Sequence, residues 1–212
     1  EMNTADVDWI DWTGETKTVN TRLQTLCAWC GIGFVVLVSI GWIFIAGLLP
    51  LPSPALPAAD IVAYYQAHTS AIRAGALISM FAMSLTGPWI ALISVQLRKL
   101  EGDTPIMSYT QLVMGAATVV ILTMPTLMWT IAAFRPDRDP ALIYLLSDMS
   151  WLIFIMTFPP FCLQLLSIGA AILASHAQQT VFPRWLGYFN IWVAVLFVPG
   201  GLITFFKSGP FA

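Results

Sequence analysis

Three sets of side chains in this chain have types and spacing that bear on chemistry. Cys27-Ala28-Trp29-Cys30 places two thiols three residues apart. On a helix they share one face, where they can bind a soft metal such as copper or form a redox pair. No histidine follows Cys30, which excludes the C-x-x-C-H attachment of a haem, and no second C-x-x-C completes a four-cysteine zinc site. Cys162, the third thiol, falls at a different depth. The competing reading of Cys27 and Cys30 is two small side chains packed against a neighbouring helix. The second set is the methionines: Met80, Met83, Met114, Met124, Met128, Met149 and Met156. Thioethers coordinate Cu(I) alongside thiols, but more commonly they fill irregular gaps in a core. The third set is the ionisable groups. His68 and His176 are the only histidines, and no Asp, Glu, Lys, Arg or His falls in the middle of the apolar stretches. That absence disfavours proton-coupled transport and an intramembrane di-iron or zinc centre, both of which need charged or imidazole ligands inside the bundle. Copper held by Cys27 and Cys30 stays open as an alternative to a protein with no cofactor beyond bound lipid, and a non-catalytic role is the favoured expectation.

The elements that position these groups are legible from composition. Of 212 residues, 58% are hydrophobic and 9% charged, against about 25% charged in an ordinary soluble domain. Five apolar stretches at 26–49, 72–97, 110–134, 149–174 and 185–206 each reach the length of about 20 residues that spans a bilayer as a helix. Strand-like alternation is missing, which argues against an outer-membrane barrel. The fold class expected is all-α: a polytopic bundle of five transmembrane helices forming one domain over 26–206. A polar arm at 1–25 precedes it and a short tail at 207–212 follows. The arm is acidic, unlike the basic start of a secretory signal, so the first helix is expected to serve as its own insertion signal. Trp9, Ile10 and Trp12 suit the headgroup level. The net charge of −2 leaves no basic surface for nucleic acid. Expected partners are membrane lipids and other membrane subunits.

With the N-terminus inside, the cytoplasmic segments carry Lys17, Arg22, Arg98, Lys99 and Arg184, against Arg73, Arg135, Arg138 and Lys207 outside. Five against four favours that orientation under the positive-inside rule. The expected location is a bacterial cytoplasmic membrane.

The connections are short apart from residues 50–71. Four prolines from Pro50 to Pro57 impose an extended path, and Ala58–Ser70 then reads as a short helix on the outer surface or as a plain loop. Between spans three and four, Asp139 is placed to cap a helix that has Pro140 in its first position.

Prolines interrupt four of the five spans: Pro88, Pro125, the pair Pro159–Pro160, and Pro199. Each removes a backbone donor and pushes aside the carbonyl four residues earlier, bending the helix. Thr86, Thr123, Thr126, Thr157 and Thr204 stand close enough to satisfy freed backbone groups. In the expected orientation Pro125, Pro159–Pro160 and Pro199 share one level in the outer leaflet, with Pro88 deeper. Kinks stacked at one level splay helices and open a pocket for a small apolar ligand. The competing reading is that proline is simply commoner in membrane helices. The candidate ligand-binding residues are Thr123, Pro125, Met128, Thr157, Pro160, Gln164, Asn190 and Pro199. Gln164 and Asn190 serve either to orient a ligand or to hydrogen-bond across a packed interface. Gly75-x-x-x-Ser79, Gly87-x-x-x-Ala91 and Gly169–Ala171 are small-residue patches where helices can approach closely.

The segments FRPDRDP (Phe134–Pro140), VFPRWLGYFNIW (Val181–Trp192) and VPGGLITFF (Val198–Phe206) resemble those of a family of multi-pass membrane proteins in actinobacteria and other bacteria. The resemblance covers most of the chain after the proline-rich loop. It implies a sixth apolar helix beyond Lys207–Ala212 and carries no activity or functional residue with it.

The sequence therefore leads to a non-catalytic membrane protein: a small subunit of a larger complex, or a binding module for a lipid, sterol, hydrocarbon or quinone. A permease component for a small apolar molecule and an accessory subunit of a membrane metallo-oxidoreductase are the alternatives.

Overall fold

A computed structural model describes residues 6–10, 16–48, 55–175 and 181–206, with residues up to 20 and residue 203 described by backbone alone. The prolines at 50, 52 and 54, Trp12, His176 and the tail at 207–212 lie outside the described residues. Helices dominate, and five of them are long and apolar enough to cross a membrane: Thr21–Ile45, Thr69–Glu101, Ile106–Phe134, Pro140–Ala174 and Arg184–Leu202. The protein is an all-α multi-pass bundle.

The polar arm is not featureless. β1 (Asp6–Ile10) pairs antiparallel with β2 (Thr16–Asn20), with Trp9 opposite Lys17 and Val7 opposite Val19. β-Branched Thr16, Thr18 and Val19 suit an extended backbone. Helix α1 (Thr21–Ser39) starts directly after this hairpin, earlier than hydropathy alone suggests, and passes into a π-helical turn at Ile40–Ile45. There the Ala46 amide reaches back five residues to the Gly41 carbonyl (2.9 Å), and the Leu48 amide reaches the Trp42 carbonyl (2.9 Å). Helix α2 (Ala58–Ala67) is the short connector, followed by α3 (Thr69–Glu101) and α4 (Ile106–Phe134). Asp139 caps α5 (Pro140–Met156) as the sequence predicts, its Oδ1 accepting the Ala141 amide at 2.8 Å. Helices α6 (Phe158–Ala174) and α7 (Arg184–Phe197) complete the bundle, and Val198–Phe205 continues as a 3₁₀ turn.

The spans pack in chain order. α1 lies against α3, α3 against α4, α4 against both α5 and α6, and α6 against α7. One end of the bundle carries α2; the opposite end carries the Glu101 turn. Glu101 bridges α3 to the start of α4 by accepting the amides of Met107 and Ser108, each at 2.7 Å, and the Ser108 hydroxyl. Gly102, at φ 70°, makes the preceding turn in a conformation that favours glycine.

The prolines behave in three different ways. α3 and α4 run helical straight through Pro88 and Pro125. At Pro159–Pro160 the helix stops and restarts: Thr157 (φ −85°, ψ 11°) separates α5 from α6. At Pro199 the backbone has already passed from α to 3₁₀. The neighbouring hydroxyls bond within their own helices, one residue away from the carbonyls that the prolines displace. Thr86 donates to Met83 (2.5 Å) and not to Ser84, Thr123 to Val120 (2.5 Å), Thr126 to Leu122 (3.3 Å) and Thr157 to Phe154 (3.1 Å).

The small-residue patches also differ. Gly75 and Ser79 meet Gly41 closely, and Gly169 meets Ile191 and the backbone of Gly187. Gly87 has open space around it, so its patch does not bring helices together.

Candidate ligand-binding site

The α2 end of the bundle holds a cavity of about 260 Å³ lined by Gly47, Leu48, Leu56, Asp60, Ile61, Tyr64, Tyr65, Ser147 and Trp151. Its roof is α2. Ile61, Val62 and Tyr65 recur at helical spacing on the face of α2 turned into the protein, and all three are buried. Three residues fix the roof through polar contacts. The Tyr64 hydroxyl donates to the carbonyls of Ala46 and Gly47, 2.9 Å each. Tyr65 shares a hydrogen bond with the Ser147 hydroxyl of α5. The Gln66 amide donates to the Pro136 carbonyl at 3.1 Å. His68 stacks on Tyr64 with centroids 4.6 Å apart.

Burial determines the proton chemistry here. It pushes the Tyr65 phenol up to about 12, over the smaller opposing effect of the Ser147 hydrogen bond, while the charges of Tyr64 and Asp148 add to the rise. Burial also raises Tyr64. Both phenols are neutral donors at physiological pH.

Below the cavity lies an aromatic cage. Trp151 sits 4.8 Å from Trp129 and Trp129 sits 5.6 Å from Trp42, while Phe154 closes the group 5.3 Å from Trp42, all centroid to centroid. The arrangement is mostly edge-to-face, the favoured geometry for such rings. Trp129 is 1% exposed. The indole N–H groups of Trp42 and Trp129 are buried and have no hydrogen-bond partner among the described residues. A buried donor left unpaired costs about 1–3 kcal/mol, which an acceptor placed there would recover. Trp42 comes from the π turn of the first span, Trp129 from α4, and Trp151 and Phe154 from α5, so the cage ties three spans together.

The residues proposed from sequence divide among four places. Pro125 is fully buried one turn before Trp129 and so shares its face of α4, with Thr123 and Met128 half-buried beside it. Thr157 bonds to the backbone of the cage residue Phe154, and Pro160 follows, half-buried. This group borders the cage. Gln164 lies elsewhere: its amide packs against Gly115 of α4, fourteen positions before Trp129 and therefore roughly 21 Å along the helix. Asn190 is buried on α7 and donates to Leu186 of its own helix at 2.8 Å. Pro199 is exposed. Cys27 and Cys30 are half-buried, and the Cys162 thiol contacts the Ala194 carbonyl at 3.3 Å. Among the described residues no three His, Cys, Asp or Glu side chains converge as a metal site.

Sequence reasoning passed over α2 as a roof and Trp42, Trp129 and Trp151 as a cage. The apolar stretch from Met149 marks only part of the fourth span: the helix capped by Asp139 runs on through Asp148, in its third turn. The polar pair Ser147-Asp148 inside an apolar run was the available signal. Comparison with protein-family models, with curated proteins and with solved structures returned no match to this chain.

Proposed function

We propose that the protein is a non-catalytic binding module for a small hydrophobic molecule, held under α2 and above the Trp42–Trp129–Trp151 cage. The observation that carries this reading is the cavity itself. It has Tyr64, Tyr65, Ser147 and Asp60 at its polar edge and Trp151 in its apolar wall, and Trp151 packs on Trp129, one of two buried indoles whose N–H groups have no partner among the described residues. Ligand pockets combine these features: a mostly apolar wall with a few polar groups that orient the occupant. At about 260 Å³ the space is near the lower limit of such pockets, so it takes a compact ring or the end of a longer chain. A lipid-soluble molecule with one hydrogen-bond acceptor, such as a quinone head or a sterol ketone, matches the one hydroxyl proton that the Tyr65–Ser147 pair leaves over. Pro125 and Thr157 border the cage and are where a longer ligand would extend. The membrane proposed is the bacterial cytoplasmic membrane with the N-terminus inside, which places α2 on the outer side.

The test is solvent extraction of the purified protein followed by mass spectrometry. One apolar species enriched over bulk lipid, and lost when Ser147→Phe fills the cavity, is expected. Extracts identical to bulk lipid for both proteins would sink the reading.

A second role, as a subunit of a larger complex, is supported by the first span. The first span, α1 and its π turn, packs chiefly on α3 and leaves Leu26, Trp29, Ile32 and Phe44 exposed along its length. Copurification of a membrane partner that crosslinks to this face would support it, and crosslinks to lipid alone would count against it.

A further inference from the structure

A second opening lies on the lipid-facing flank between α3 and α4. This groove of about 670 Å³ is lined by Arg73, Ala74, Leu77, Met80, Leu127 and Thr130, among others. Its floor is apolar and runs along the helices; small Ala74 leaves it empty near the top. Arg73 stands at one end, in the second turn of α3 and so near the end of its span, where a lipid phosphate would meet its acyl chains. Its side chain is exposed but has a ring beneath it. The guanidinium lies over the Phe134 ring, 5.2 Å from the centroid, and Arg135 lies 5.9 Å from the same centroid. Both guanidiniums thus contact one ring, Arg73 as part of the groove lining and Arg135 beside it, and among the described residues neither is paired with a carboxylate. A cation at the edge of a low-dielectric region is stabilised by an anion placed beside it. Guanidinium groups match phosphate oxygens in a two-pronged geometry.

We infer that this groove binds one anionic phospholipid, its phosphate on Arg73 and Arg135 and an acyl chain along Ala74, Leu77 and Met80. The site is separate from the cavity under α2 and does not depend on it. An anionic head explains the unpaired arginines, and a chain explains the apolar floor below them. A free phosphate explains only the first feature and a zwitterionic lipid only the second.

The delipidated protein is offered mixed micelles of phosphatidylglycerol and phosphatidylcholine with matched chains, and retained lipid is counted by native mass spectrometry. The wild type retains one phosphatidylglycerol with a preference of about tenfold. Arg73→Gln with Arg135→Gln abolishes the preference. Ala74→Trp, which fills the groove but keeps both arginines, lowers retention of both lipids. Circular dichroism confirms that each variant keeps its helices. Equal retention of the two lipids by the wild type overturns the inference. So does an undiminished preference in the double arginine variant, or release of the lipid by inorganic phosphate.

Discussion

Gly41 of the first span and Gly75 of α3 touch backbone to backbone. A Cβ on Gly41 would come 2.6 Å from the Gly75 carbonyl, and one on Gly75 would come 2.7 Å from the Cβ of Ala46. Without a hydrophobic drive between helices in lipid, such close approach is what binds one helix to the next. Gly75→Val is expected to destabilise the bundle by about 1–3 kcal/mol or more, with the first span detaching from α3. Thermal unfolding followed by circular dichroism measures the first effect, and crosslinking between the two helices measures the second. Gly87→Ala is the control: nothing lies within 4 Å of its added Cβ, so replacing a helical glycine there is neutral or stabilising by up to about 1 kcal/mol.

Trp129→Ala removes the centre of the cage. A buried tryptophan truncated to alanine typically costs about 3–5 kcal/mol, and here it also enlarges the space under α2. Lower thermal stability, together with recovery on adding a bulky aromatic ligand, is the expected pair of results. A variant as stable as the wild type would mean that the cage contributes little to cohesion.

Tyr65 gives a pH signature. Its folded pKa of about 12 lies above the ordinary value of 10.0 because burial penalises the phenolate. The folded state therefore holds this proton more tightly than the unfolded state does. The stability it contributes is complete below pH 10 and falls as pH rises from 10 towards 12, by about 1.4 kcal/mol per pH unit. The difference between wild type and Tyr65→Phe isolates this slope, since phenylalanine has no proton to lose. Titration of the tyrosinate absorbance should show one group fewer at the alkaline end in the variant.

Glu101→Ala removes the acceptor for two amides and a hydroxyl at the start of α4. Hydrogen bonds to a charged group contribute about 1.5–3 kcal/mol, so a loss of that order is expected. Hydrogen exchange at Met107 and Ser108 should accelerate more than exchange elsewhere in α4.

Much of the architecture was legible because bilayer thickness and helix capping are local rules. The five spans follow from runs of apolar residues, α2 from Ala58–Ala67, and the α5 start from Asp139-Pro140. What was not legible depends on pairing across distance or on a choice between hydrogen-bond registers. Trp42, Trp129 and Trp151 come from three spans, and nothing local announces that they converge. The prolines look alike in sequence, yet packing keeps α4 continuous at Pro125, while two adjacent prolines displace successive carbonyls and break the helix at Thr157. The break at Thr157 follows from the adjacent Pro159 and Pro160 in the sequence, whereas the roof and the cavity needed the fold.

The π turn at Ile40–Ile45 has a consequence for how the first span tolerates change. A wide turn is equivalent to one extra residue in an α-helix, and one residue advances the helix by about 100°. The part of the span before the turn, which meets α3 through Gly31, and the part after it, which sets Ala46 against Gly75, are therefore at different azimuths. Deleting a single residue within this turn would restore regular α-helical phase and swing one of the two contact faces out towards lipid. The span should accept substitution on its outer face far more readily than a change in length.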